Sequence, residues 1–98
     1  DLDEARGLIQ QARKARPNDA AIDDSWGWLQ YRLGNLKQAE LALRMSWKEH
    51  RDADVGAHLA EVLWRRGQSG EARKVLAEAY RLDPHNPKLK AATEKIAP

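Results

Sequence analysis

Apolar residues recur every three to four positions along most of the 98-residue chain, interrupted by short polar or glycine-containing joints. Between residues 3 and 16, Leu8, Ile9, Ala12 and Ala15 form one such stripe, and Pro17 ends it; this predicts a first helix. Asn18 and Asp19 offer capping side chains for a second, which carries Ile22, Trp26, Leu29 and Leu33 and stops at Gly34. Asn35 followed three residues later by Gln38 has the form of a capping box, opening a third helix through Ala39, Leu43 and Trp47. Residues 50–52 connect to a fourth, with Leu59, Val62, Leu63 and Trp64 ahead of Gly67. A fifth runs from Ser69 to Leu82 with Ala72, Leu76, Ala79 and Tyr80 inward, and Asp83-Pro84 stops it. Asn86-Pro87 pairs a capping side chain with proline at the first helical position. The sixth segment, residues 87–97, sets Leu89, Ala92 and Ile96 against Lys88, Lys90, Glu94 and Lys95, the pattern of an amphipathic cap over a core edge. Strict apolar-polar alternation is absent and β-branched residues are sparse, so the expected class is all-α.

The pattern also repeats. At an offset of 33 residues Gly34 matches Gly67, Ala39 matches Ala72, Leu43 matches Leu76, and Trp47 matches Tyr80. The same offset pairs Trp26 with Leu59, Gly27 with Ala60 and Tyr31 with Trp64. Small residues pair with small and bulky with bulky, which is one structural unit used twice. A period of this length marks a stacked helical repeat, in which each unit buries its apolar face only against its neighbours.

The string from Trp26 to Ala39, with Gly27, Tyr31 and Gly34 inside it, resembles the core of a tetratricopeptide repeat. So does the string from Leu59 to Ala72, followed by Ala79 and Asp83-Pro84. The resemblance implies a right-handed superhelix of antiparallel helix pairs. It divides the chain into the second helix of a preceding repeat (1–18), two repeats (20–52 and 53–86) and a capping helix (87–97). Arg51 departs from the pattern where the first repeat would carry its proline, and Ser46 occupies its last small position. The small residues (Gly27, Ala60, Ala39, Ala72, Ser46, Ala79) are expected to let paired helices approach closely, while Trp26, Leu59, Leu43 and Leu76 fill the spaces between. Trp26 and Trp47 are assigned to the core. A finer resemblance, in Asp24 to Trp28 and Ala57 to Trp64, is to the last repeats of proteobacterial tetratricopeptide lipoproteins. It implies a lipid-anchored parent in the periplasm at the outer membrane, with a cytoplasmic setting as the alternative. The chain begins at Asp1 and reads as a fragment of something longer.

Composition narrows the chemistry. No cysteine is present, which removes disulfides, thiolate metal sites and thiol nucleophiles together. Seventeen basic and fifteen acidic residues are interleaved rather than gathered in a stripe, so the net +2 reads as a solvated helix surface and no nucleic-acid partner is expected. No run approaches the ~20 apolar residues of a membrane span. His58 and Glu61 lie three apart on one helix, but two ligands do not make a metal site, and His50 and His85 fall in connectors. Phosphate-binding and nucleophile-elbow motifs are absent. The chain reads as a non-enzyme without cofactor or metal.

Binding is the remaining chemistry. In the resembling family the inward positions of each first helix line a concave groove. Here they fall on Ala21, Asp24, Ser25, Trp28, Tyr31 and Arg32, then on Asp54, Ala57, His58, Glu61, Trp64 and Arg65. Asp24, Trp28, Tyr31, Arg32, His58, Glu61, Trp64 and Arg65 form the candidate partner-binding groove, an aromatic lining edged by arginine of the kind enriched at binding hot spots. The plainer reading is that the rings pack and the arginines pair with carboxylates. The lysine-asparagine set with which some family members clamp a C-terminal carboxylate is not supplied. The expected partner is therefore an extended peptide or a helix, and the expected role a protein-protein interaction scaffold or adaptor. Self-association into a homo-oligomer is the alternative, and single-stranded nucleic-acid binding by ring stacking a more distant one.

Overall fold

The computed structural model describes residues 1–96, all of whose regular structure is α-helical. Ala97, placed by the sequence at the end of the last helix, lies outside the described residues. The helices are α1 (Leu2–Ala15), α2 (Ala20–Arg32), α3 (Leu36–Glu49), α4 (Ala53–Arg65), α5 (Ser69–Leu82) and α6 (Pro87–Ile96). They divide into two compact units, one spanning Asp1–His50 and the other starting at Arg51.

In the first unit α2 and α3 form an antiparallel hairpin, as their contacts show from end to end. Ser46 Oγ, late in α3, donates to the Ala20 carbonyl at the start of α2 (2.7 Å), while Asn35 at the turn donates its amide to Gln30 (2.8 Å). Between them, Gly27 lies so close to α3 that a Cβ there would sit 2.7 Å from Leu43 Cγ and 3.2 Å from the Ala39 carbonyl oxygen. Ala39, Leu43 and Ser46 are fully buried. Burying a leucine of this kind contributes ~1.5–3 kcal/mol. Close approach at the small residues is thus what allows the large ones to be sealed.

The turn that makes the hairpin recurs atom for atom in the second unit. Gly34 N–H donates to the Tyr31 carbonyl (3.0 Å) and Asn35 N–H to that of Gln30 (2.8 Å); Gly67 bonds Trp64 (3.0 Å) and Gln68 bonds Leu63 (2.9 Å) in the same way. The two glycines sit at φ +86° and +81°, the left-handed region that a helix end closed by such bonds requires.

Asp19 caps α2 by accepting from the Ala21 and Ile22 amides at 3.0 and 3.2 Å, and Asp52 caps α4 by accepting from Asp54 at 2.8 Å. Asn86 Oδ1 caps α6 at 2.8 and 3.2 Å on the Lys88 and Leu89 amides, with Pro87 at the first helical position, where no donor is needed. The capping box expected at Asn35 does not form, because that side chain turns back to Gln30 and makes no bond to the first turn of α3.

In the second unit Arg51, standing in the place of the expected proline, bridges to Glu78 at 2.7 Å and so ties the entry of α4 to the far end of α5. The third helix, α6, packs on both α4 and α5 with Leu89, Ala92 and Ile96 buried. It runs parallel to α4: its first turn meets Asp54 through Asn86 and Lys88, and its last meets Glu61 through Lys95. Tyr80 and Thr93 join α5 to α6 by a 2.7 Å hydroxyl contact.

The stripe of α1 is sealed less well than the sequence predicts. No residue of α1 is buried, and Leu8 is 61% exposed. Among the described residues of its unit α1 packs on α2 alone, so its cover stops at a half-buried strip of Leu2, Ala5, Ile9, Ala12 and Arg13.

Candidate functional site

On α2 the candidate residues Asp24, Trp28, Tyr31 and Arg32 follow spacings of four, three and one, which gathers them on one side of the helix. Asp24, Trp28 and Tyr31 are half-buried and Arg32 is exposed. The Trp28 and Tyr31 rings lie 4.9 Å apart between centroids and 31° from parallel, the tilted offset contact aromatic pairs favour. Trp26, expected in the core, is half-buried on another side, where the Arg13 guanidinium lies 4.9 Å from its ring centroid. Trp47 is in the core at 6% exposure.

On α4 the candidates His58, Glu61, Trp64 and Arg65 share one side as well, but their surroundings differ. His58 and Trp64 are half-buried and Arg65 is exposed. The Arg73 guanidinium of α5 stands 5.3 Å from the Trp64 ring centroid. Glu61 is buried, and the Lys95 ammonium of α6 donates to both its oxygens at 3.3 and 3.4 Å. Among the other inward positions, Ala57 is buried while Ala21 and Ser25 are exposed. At the start of the helix, Asp54 accepts from Asn86 at 2.7 Å and pairs with Lys88 at 3.5 Å. The Asn86 hydrogen bond, with Lys88 behind it, holds the Asp54 carboxyl below its ordinary 3.8, against the opposing pull of partial burial.

A second polar cluster lies in the first unit, where α1, α2 and α3 border an open cleft of about 450 Å³. Arg13, Lys14, Asp23 and Met45 line it. Asp23 is only 4% exposed, with Arg13 Nε 3.5 Å from its Oδ1. Its Oδ2 is buried and accepts from no N–H or O–H fixed among the described residues. Glu49, the last residue of α3, meets Asp23 carboxyl to carboxyl, which pushes Glu49 above its ordinary 4.5. Sequence reasoning passed over this pair. The available signal was that Asp23 sits at the repeat offset from Gly56, a position small enough to be enclosed.

Among the described residues no group of three or more His, Cys, Asp or Glu side chains is arranged to hold a metal, and no helix is long and apolar enough to cross a membrane.

A sequence model described as a tetratricopeptide repeat matches residues 53–92. The chain is similar to TPR repeat-containing protein PA4667 of Pseudomonas aeruginosa, 50% identical over 58 residues, which are 59% of this chain and 10% of that protein. The chain thus spans about a tenth of the length of that curated relative.

Proposed function

Since this chain carries tetratricopeptide repeats, which mediate protein-protein interaction, we propose that it is a non-catalytic scaffold that takes a peptide or helix on the inward faces of its first helices. The observation that carries this reading is the recurrence of an aromatic-arginine pair at the same position of both hairpins. Tyr31-Arg32 on α2 returns as Trp64-Arg65 on α4, each with a half-buried ring beside an exposed guanidinium. Packing alone explains a ring; it does not require an exposed arginine next to it twice. A ring that keeps part of its face open beside such a charge is suited to anchor an apolar side chain while the arginine bonds a backbone carbonyl or carboxylate. Trp28, stacked on Tyr31, widens the α2 face, where Asp24 supplies a polar contact, and His58 does the same on the α4 face. Glu61 acts indirectly here, by holding Lys95. Membership of the repeats of a longer bacterial protein, as in the Pseudomonas relative, fits an adaptor that presents one protein to another. The test is capture of a partner from a lysate by the chain, its Trp28→Ala form and its Arg65→Ala form. Both variants should lose the partner while far-UV circular dichroism stays helical; undiminished capture by both rejects these faces as the binding surface.

A further inference from the structure

We infer that the α4 face selects an acidic partner segment, seating one of its carboxylates between Lys95 and Arg65 with an adjoining apolar side chain on the Trp64 ring; this rests on the proposed role of the inward faces. By sequence α4 carries two carboxylates on this side, Asp54 and Glu61, which would repel an acid. The tertiary structure reverses that sign. From α6, Lys88 reaches Asp54 at 3.5 Å and Lys95 reaches both oxygens of Glu61 at 3.3 and 3.4 Å, so each carboxylate is met by an ammonium. At the second pair the burial is unequal: the Glu61 side chain is 8% exposed and that of Lys95 60%. A partner therefore meets the cation rather than the acid beneath it. An ammonium carries three N–H donors, and the two contacts to Glu61 leave a third for a partner's carboxylate.

Arg65 lies one helical turn beyond Glu61 on the same side and is exposed. Beside it Trp64 is half-buried, with the Arg73 guanidinium 5.3 Å from its ring centroid. Lys95, Arg65 and Arg73 thus bring three positive charges to this end of the face against the one negative charge of Glu61, while Arg66 and Glu71 near the turn add one of each sign. That excess complements an acid, and a guanidinium offers a carboxylate paired donors in a matching fork. The first unit lacks the arrangement: at the repeat offset Glu61 becomes Trp28, Trp64 becomes Tyr31 and Arg73 becomes Glu40. There a ring pair stands beside a single arginine, which suits an apolar side chain without the acid. The acidic preference belongs to the second unit.

Titrating the full chain with two blocked pentapeptides tests this, each with leucine at its centre, flanked by glutamates in one and by glutamines in the other. The Trp64 and Trp28 indole ¹⁵N–¹H signals are followed separately. The glutamate peptide should shift the Trp64 signal at about tenfold lower concentration than the glutamine peptide, as a few part-exposed ion pairs provide, and the gap should narrow at high salt. At Trp28 the two peptides should act alike. Lys95→Gln, whose amide still donates to Glu61, and Arg65→Gln, at an exposed position, should each shrink the gap to about threefold. Equal midpoints at Trp64 for both peptides overturn the acidic selection while leaving the inward faces as a binding surface. A Trp64 signal that neither peptide moves overturns it too, and partner capture by the chain and its Trp28→Ala form then decides independently whether the inward faces bind.

Discussion

The two hairpins share a turn, a cap position and a set of small contact residues, yet the third helix of each unit is treated very differently. In the second unit α6 lays Leu89, Ala92 and Ile96 into α4 and α5 until all three are buried. In the first, α1 buries nothing completely, although its sequence stripe is equally regular. The interior of the first hairpin is also more polar, holding Gln30 where the second holds Leu63, and Asp23 where the second holds Gly56. Periodicity thus tells which residues lie on one face of a helix. Whether that face is sealed depends on what packs against it, and the polar substitutions accumulate in the hairpin whose third helix is less sealed.

The largest expected effect separates the two covering helices. Leu89→Ala should cost about 2–5 kcal/mol, the range for truncating a fully buried leucine, while Ile9→Ala at the half-covered α1 strip should cost under about 2. Urea denaturation of each variant measures the difference, and equal losses would erase the distinction between sealed and open ends.

A smaller effect belongs to the close contact within the first hairpin. A methyl at residue 27 meets Leu43, which has no free space to retreat into, and overpacking of this kind costs ~1–3 kcal/mol. Alanine's better helix propensity returns about 1 kcal/mol, leaving Gly27→Ala destabilised by ~1 kcal/mol. A rise in its denaturation midpoint would mean that α2 and α3 can part slightly without loss. The same measurement on Ala60→Gly asks whether the second hairpin uses its small residue alike.

Smallest is the acid response of the second unit. Asn86 and Lys88 hold Asp54 below its ordinary 3.8, so the folded state binds that proton less readily than the unfolded state. This contribution is complete above about 3.8 and is lost as pH falls through the lower, folded value. Asp54→Asn should flatten the acid limb of the second unit's pH-stability curve.

Much of the architecture was readable in advance. The six helices, the glycine stops at Gly34 and Gly67 and the caps at Asp19 and Asn86 all rest on interactions within a few residues. The candidate faces were legible only as positions. That Trp28 stacks on Tyr31, that Arg73 stands over Trp64, and that Lys95 covers Glu61 depend on rotamers and on residues up to 34 positions away. Asn35 shows the boundary well: its local spacing matched a capping box, but Gln30 across the turn offered the better partner.

By itself the sequence determined where helices begin and end and which side of each is apolar, because backbone hydrogen bonding and the 3.6-residue period are local. Tertiary structure alone decided that Leu8 faces water, that Trp26 lies beneath Arg13, and that Asp23 is enclosed with Glu49 as its neighbour. Those outcomes follow from how closely one helix approaches another, and that distance is set by side chains contributed from separate parts of the chain.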